Sequence, residues 1–328
     1  MASGCGALSV AETRNGLLLF GAATPSGAAL LEAAPLAAAG ARPVLTAGRH
    51  PLRAELARLA TGDGLRVDLR DADAFVPPAE PLWWVSFAPL WHLAPFLEHL
   101  RQQRPERLRG LRGVVACSSS SALTKRFAAN PFDRDLVRRL REAEQSLASS
   151  CAALGVPCRI LAPTLIYGQA GGYGDRNLSR LLGLMRRLPL LPVPARSGLR
   201  QPIHARQLAR SALAVVDRLE REGARCDLPA VLPLGGDESL SYSAMLEQLR
   251  QATPPGDPAR RCRFLRLPPR VLLWLAHPLL LLSPKAFEAM QRTQADLAGF
   301  TQAHELIGEP PEPFPLAPLA LGQDPHPA

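Results

Sequence analysis

The feature that most limits the fold is a junction near the start of the chain. A short apolar run, Gly16 to Phe20, stops at Gly21, and an alanine- and leucine-rich stretch opens at Gly27 and runs to Ala39 before Gly40. A continuous apolar run of this length predicts a strand buried on both faces, the habit of parallel sheets. The stretch after Gly27 predicts a helix ended by Gly40. Between them lies Gly21-Ala22-Ala23-Thr24-Pro25-Ser26-Gly27. Glycine in such a turn lets backbone approach a pyrophosphate closely, and the helix N-terminus offers N–H groups and a partial positive charge. Thr24 stands where such loops carry a middle glycine, and Pro25 stiffens the turn. Gly21, Thr24, Ser26 and Gly27 are candidate cofactor contacts; an ordinary strand-to-helix turn is the plainer reading.

Strand and helix patterns then alternate. Strands are expected at Pro43 to Thr46, Leu65 to Leu69, Pro81 to Phe87, Leu111 to Cys117 and Val156 to Ala162. Helices are expected at Leu52 to Leu59, Leu93 to Arg101 and Asp135 to Leu154. This alternation implies right-handed crossovers and a parallel sheet covered on both faces. After Tyr167-Gly168 the texture changes to a loop with Gly171, Gly172 and Gly174, a basic helix (Leu178 to Arg187) and a proline-rich strand-like piece (Leu188 to Pro194). Residues 201–218 read as a return to the sheet region, and 238–320 as helices between proline turns. The expected class is α/β, a Rossmann-like doubly wound sheet with a smaller, mostly helical C-terminal cap. Its expected parts are a loose leader (1–14), a nucleotide-binding unit (15–168) with a returning segment at about 201–237, a cap from 169–200 and 238–318, and a loose tail (319–328).

Composition narrows the partners. Of 328 residues, 47% are hydrophobic and 20% charged, which excludes a disordered or collagen-like chain. The net charge of +9 comes from 36 arginines and only two lysines, Lys125 and Lys285. Acids are interleaved among them, as in Arg138-Arg139-Leu140-Arg141-Glu142-Ala143-Glu144, and no reader motif appears, so nucleic acid is not an expected partner. An anionic small molecule suits the sign of the charge. The cysteines at 5, 117, 151, 158, 226 and 262 lack the two-residue spacing of zinc or redox motifs. No metal is expected; reduced thiols and a cytoplasmic setting are, with Cys117 and Cys151 as small buried hydrophobes. The first ten residues lack the basic region of a secretion signal. The run Val271 to Leu282 contains His277 and Pro278 and falls short of the ~20 residues that span a bilayer, so a buried or interfacial helix is expected there.

The ends of the predicted strands carry further candidates. The second ends in Leu45-Thr46-Ala47-Gly48-Arg49, without the acid that NAD-selective dehydrogenases place there. Arg49 suits a 2′-phosphate, or stands as a solvated arginine. Asp68-Leu69 closes the third strand, where the acid can accept from an adenine amino group or simply make a turn.

Several segments, taken in order, resemble the extended short-chain dehydrogenase/reductase family, in its nucleoside-diphosphate-sugar epimerase/dehydratase branch. The loop at 21–27 is similar to its Gly-x-x-Gly-x-x-Gly. Val114 to Ser121 resembles its strand ending in a serine cluster, and Glu142-Ala143-Glu144 the helix after its active-site lysine. Leu161 to Gly168 resembles its Leu-Arg-Pro-x-x-x-Tyr-Gly segment, and Gln201-Pro202-Ile203-His204 its Pro-Val-His-Val segment. Leu234 to Asp237 and Glu309 to Phe314 resemble later landmarks, so the likeness spans Gly16 to Phe314. It implies a nicotinamide cofactor, NADP ahead of NAD, with Phe87, Ala88 and Pro163 beside it. It implies a small substrate such as a nucleotide sugar, contacted by Tyr173, Asn177, Gln201 and His204, and permits a homodimer.

The departures bear on chemistry. The family's proton-transferring tyrosine and its lysine, one helical turn apart, fall at Leu136 and Leu140 in this register, and no tyrosine lies between residues 92 and 166. Ser120 matches the substrate-bonding serine, though a strand-end cap is an equal reading. Lys125 follows the serines and offers electrostatic stabilisation or is a solvated loop residue. Tyr167, Tyr173 or another cap tyrosine remains as a replacement acid. His204 reads more readily as a packing residue than as a base. The expected function is an atypical NAD(P)-dependent oxidoreductase or epimerase with Ser120, Lys125 and Tyr167 as catalytic candidates. The rivals are a non-catalytic NAD(P)-binding scaffold or redox sensor acting through a protein partner, and a membrane-peripheral reductase of a lipid or quinone.

Overall fold

The computed structural model describes residues 15–36, 41–126, 128, 130–275 and 292–319. The leader with Cys5, the first helix's expected end at Ala39-Gly40, residues 276–282 of the apolar run with His277, Lys285, and residues 320–328 of the tail lie outside the described residues.

Eight strands form one parallel sheet: β1 (Gly16–Phe20), β2 (Val44–Gly48), β3 (Leu65–Arg66), β4 (Leu82–Ser86), β5 (Leu111–Cys117), β6 (Cys158–Pro163), β7 (Val231–Gly235) and β8 (Thr301–Gln302). Their order is β8-β7-β6-β5-β4-β1-β2-β3, and every pair is parallel. Strand order reverses between β1 and β4, the place where doubly wound folds open a crevice at the carboxyl ends of the strands.

Alternation along each strand feeds two cores. Leu17, Leu19, Trp83, Val85, Val115 and Leu161 face α1 (Pro25–Ala33) and, across the chain, the amphipathic helix Ala205–Glu222. Leu18, Phe20, Trp84, Val114 and Ile160 face α2 (Leu90–Gln103) and α3 (Pro131–Ala153). On that side Phe20, Phe75, Trp84 and Phe96 make edge-on contacts with centroids 5.2–5.6 Å apart for the closest pairs. Because both faces are covered, the strands read as unbroken apolar runs.

A third core, with Leu178, Leu182, Met185, Val193, Met245 and Leu249, builds the cap. It joins α4 (Asn177–Arg187) and α6 (Tyr242–Ala252), whereas α5 (Ala205–Glu222) packs on the sheet. The cap is less purely helical than the sequence implies. Arg263–Leu267 is a strand paired with Leu190–Pro194, and Thr301–Gln302 completes the main sheet. Pairing with Leu190–Pro194, whose residues alternate exposed and buried from Leu190 to Val193, holds the first; β7 imposes the second. The expected return at 201–218 takes the form of a two-residue strand, Ile203–His204, paired with Ile166–Tyr167 outside the main sheet, followed by α5. The apolar run begins in a seven-residue helix, Pro269–Leu275, and among the described residues no helix is long and apolar enough to cross a membrane.

Asp237, just past β7, fastens the last part of the chain. Its carboxylate accepts from the Gln207 side chain at 2.8 Å and from the backbone N–H groups of His304 (2.8 Å) and Glu312 (2.9 Å).

Candidate functional site

The β1–α1 junction is very tight. Gly21 takes φ of 77°, and a Cβ there would lie 2.6 Å from the Ala88 nitrogen. A Cβ on Gly27 would lie 2.2 Å from the Gly21 carbonyl oxygen. Both positions therefore require glycine. Thr24 caps α1: its hydroxyl donates to the Gly21 carbonyl at 2.8 Å and accepts from the Gly27 N–H at 3.1 Å. Pro25 has no N–H. The buried Ser26 is left to present an N–H and a hydroxyl at this helix end.

The neighbouring strand ends complete a groove. Phe87 donates its N–H to the Phe20 carbonyl at 2.9 Å, and Ala88 follows directly against Gly21. Arg49 is exposed just past β2. Asp68 closes an Asx turn by accepting from the Arg70 N–H at 3.0 Å, and Leu69 packs on the aromatic core. Partial burial, together with Arg70 and Arg49, holds the His92 imidazole below its ordinary pKa, against the opposing pull of Asp68. Cations thus outnumber acids at this end.

A pocket of about 330 Å³ lies between the sheet and the cap. Ser120, just past β5, and Thr164, just past β6, form its floor; Asn177 and Arg180 come from α4, and Tyr242 from α6. Arg200 and Arg292 complete a wall of three arginines, and no Asp or Glu lines the space among the described residues. Ser120 is anchored by its N–H, which donates to the Pro163 carbonyl at 2.9 Å, and its hydroxyl makes no capping bond to the short helix Ser121–Thr124. Arg200 is buried and bonded to the backbone carbonyls of Leu199, Ala295 and Arg292, with its guanidinium 5.5 Å from the Tyr242 ring centre. Burial lowers its pKa, opposed by Tyr242 and Asp296, and among the described residues no acid hydrogen-bonds it. Burial raises that of Tyr242, opposed by Arg200.

Lys125 lies behind this pocket in an ion pair. Its ammonium bonds Asp133 at 2.9 Å, and Arg292 bonds the same carboxylate at 2.8 Å. Asn130 donates to it at 3.0 Å. Burial alone would push Asp133 up, but these partners hold its carboxyl at about 2. Helix α3, which starts at this cluster, contains neither tyrosine nor lysine; Leu140 is buried and Leu136 half-buried.

Other sequence candidates sit away from the pocket. The buried Tyr167 hydroxyl accepts from the Leu316 N–H at 2.9 Å, with its ring between His204 and Phe314. Burial and nearby Glu312, Asp237 and Glu238 raise its pKa despite that bond. His204 caps α5 by accepting from the Arg206 N–H through Nδ1, and its Nε2 donates to the Pro318 carbonyl at 3.3 Å. Burial lowers its pKa to about 4, so the ring stays neutral. The stretch expected as a free glycine loop is a small hairpin, Gln169–Ala170 with Tyr173–Gly174. It lies on α1: Gly171 donates to Glu32 at 2.9 Å, and the Arg53 guanidinium sits 5.2 Å from the Tyr173 ring centre. Gln201 borders the pocket, but its amide bonds Gly236 and Phe300. Asn177 does reach the pocket and donates to the Ile166 carbonyl at 3.3 Å.

Sequence reading missed Thr164, Arg292 and Asp133 and left the cap tyrosine without a number. Tyr242 had a usable signal, since it follows the capping residue Ser241 at a helix start. Arg292 had none, because it meets Asp133 from 159 residues away.

No family model matches the chain, and no curated protein matches it. Solved structures do. A UDP-glucuronic acid 4-epimerase from Bacillus cereus, in complex with NAD, is 14% identical over 90% of this chain and 93% of its own, with a TM-score of 0.55. A nucleoside-diphosphate-sugar epimerase from Staphylococcus aureus is 14% identical over 91% and 97%, with a TM-score of 0.56. An NADPH-dependent quinone oxidoreductase from Escherichia coli is 16% identical over 90% and 96%, with a TM-score of 0.56. The chain shares the fold of these proteins.

Proposed function

We propose that this chain is an NAD(P)-dependent oxidoreductase or epimerase acting on a small phosphate-bearing substrate, with a nucleotide sugar as the leading class. The observation that carries this reading is the pocket beside Ser120, walled by Arg180, Arg200 and Arg292, with no lining acid among the described residues. Guanidinium groups pair with phosphate oxygens in two-pronged fashion, and a carboxylate among them would oppose such a ligand. Proteins of this fold with UDP-glucuronic acid and NAD bound support the substrate class.

The crevice residues fit a dinucleotide. Gly21 and Gly27 leave backbone alone at the turn, and Ser26 offers donors to a pyrophosphate. Asp68 and Leu69 would border the adenine; Phe87, Ala88 and Pro163 would border the rest. Arg49 and Arg70 suit a 2′-phosphate, which supports NADP ahead of NAD. When bound, the nicotinamide supplies hydride transfer. Ser120 would donate its hydroxyl hydrogen to the substrate oxygen, and Tyr242, on the same pocket wall, would hold the proton that oxygen gains or loses. Lys125 would act only indirectly, by sharing Asp133 with Arg292. In this reading 15–168 and about 201–237 hold the cofactor, and 169–200 with 238–318 hold the substrate.

A second reading, a non-catalytic NAD(P)-binding scaffold, is favoured by α3, which carries neither tyrosine nor lysine. Calorimetric titration with NADPH and then NADH tests what the two share. Tighter NADPH binding, eroded by Arg49→Ala, is expected; binding of neither overturns both. Turnover of a UDP-sugar that falls with Tyr242→Phe separates the enzyme from the scaffold.

A further inference from the structure

Six of the twelve large apolar side chains that stand exposed among the described residues come from two short stretches of the cap: Leu184, Leu188, Leu190, Leu265, Val271 and Trp274. The paired strands bring these stretches together. In their parallel register Leu190 lies beside Arg263 and Pro192 beside Leu265, while the alternate residues Leu191 and Val193 are buried. The outward row is therefore apolar with a cation at one end. The helix Pro269–Leu275 follows this sheet and packs on Leu190–Pro194. It buries Leu272 and exposes Val271 and Trp274 three residues apart, on one helical face. Trp274 is 74% exposed.

Charge decides what covers this surface. Residues 176–200 contain six arginines and residues 258–275 five, and neither stretch contains a single Asp or Glu. Arg187, Arg261, Arg263 and Arg270 are exposed, and none makes an ion pair among the described residues, while Arg266 lies on the other face of the paired strands, near Glu247. The acids at the margin are engaged: Asp257 with Arg186, and Glu247 with Arg250. A second copy of this face would set cations against cations. An apolar row with a projecting tryptophan, ringed by unpaired arginines, is complementary to the interface of an anionic bilayer. There the apolar groups enter the headgroup boundary and each nearby cation adds attraction.

We infer that the surface formed by Leu190, Leu265, Val271 and Trp274 with Arg263 and Arg270 docks this protein on anionic lipid membranes. Nothing in this inference depends on the pocket beside Ser120, so it stands or falls apart from the reaction.

The test is flotation of the full chain with phosphatidylcholine vesicles and with mixed phosphatidylcholine–phosphatidylglycerol vesicles. Binding to the mixed vesicles, little to the neutral ones, and release by added salt are expected. The double variant Arg263→Glu/Arg270→Glu should lower partitioning by about tenfold or more. Acyl-chain-brominated lipids should quench tryptophan fluorescence in the parent chain and not in Trp274→Phe, because Trp83 and Trp84 are buried and Trp91 is partly so. Absence of binding to either vesicle overturns the proposal. So does binding that the double variant leaves unchanged, or self-association through Trp274 in the absence of lipid.

Discussion

The two ends of the candidate site, the β1–α1 turn and the pocket beside Ser120, treat their polar groups in opposite ways. At the β1–α1 turn the chain satisfies itself: Thr24 takes up the Gly27 N–H and the Gly21 carbonyl, and Pro25 brings no donor. At the pocket beside Ser120 the chain holds cations ready, with Arg200 fixed by carbonyls rather than by a counter-charge. The first end is shaped by backbone fit, the second by charge. A ligand gripped at both ends would be located by shape at the turn and retained by charge at the pocket.

Gly27→Ala should break this contrast most severely. Its methyl group would meet the Gly21 carbonyl at 2.2 Å, inside the junction itself. A loss of about 4 kcal/mol in urea unfolding is expected. Asp133→Asn comes next, at ~3 kcal/mol, because it strands Lys125 and Arg292 without their shared acid. The same carboxyl sets a pH dependence. Its pKa is about 2 in the folded protein against 3.8 for the ordinary group, so its contribution is present above about pH 4 and fades as pH falls through about 2. Unfolding curves across that window should show roughly 2 kcal/mol of loss in the parent chain and a flatter profile in the variant.

The charged end is sharpened by Arg180→Ala. Arg180 is exposed on the pocket rim, so folding should be unaffected while affinity for UDP, read by calorimetry, drops about tenfold. Thr24→Gly should have the smallest effect on stability, a few tenths of a kcal/mol. It also returns the Gly27 N–H to a phosphate, so NADPH should bind more tightly. Weaker binding would show that the threonine hydroxyl itself is a contact.

What the sequence made legible follows range of interaction. β1, β4 and β5 announce themselves because both faces are buried, so local apolarity and final burial coincide. β8 is two residues long and owes its strand geometry to pairing with Leu234 and Gly235, which no local pattern encodes. Arg263–Leu267 reads Arg-Phe-Leu-Arg-Leu, with no alternation of its own, and takes its strand geometry from pairing with Leu190–Pro194. In the site, Ser120 and Asn177 were legible as strand-end and helix-start residues, and both border the pocket. Tyr167 and Tyr173 were legible as tyrosines, but their partners Leu316 and Arg53 lie far off in sequence. The glycines at 171 and 172 suggested freedom; their positive φ values instead form a hairpin turn held on α1.

Asp237 gives the C-terminal segment a particular kind of order. One carboxylate serves α5, the start of the helix Ala303–Ile307 and the backbone at Glu312, so its bonding is complete only when all three have arrived. Partial arrival leaves a buried acid short of donors, which penalises every intermediate arrangement. The end of the described chain should therefore not peel away stepwise. In amide hydrogen exchange, Glu312 should open together with His304, at a rate belonging to the cap as a unit rather than to a fraying terminus.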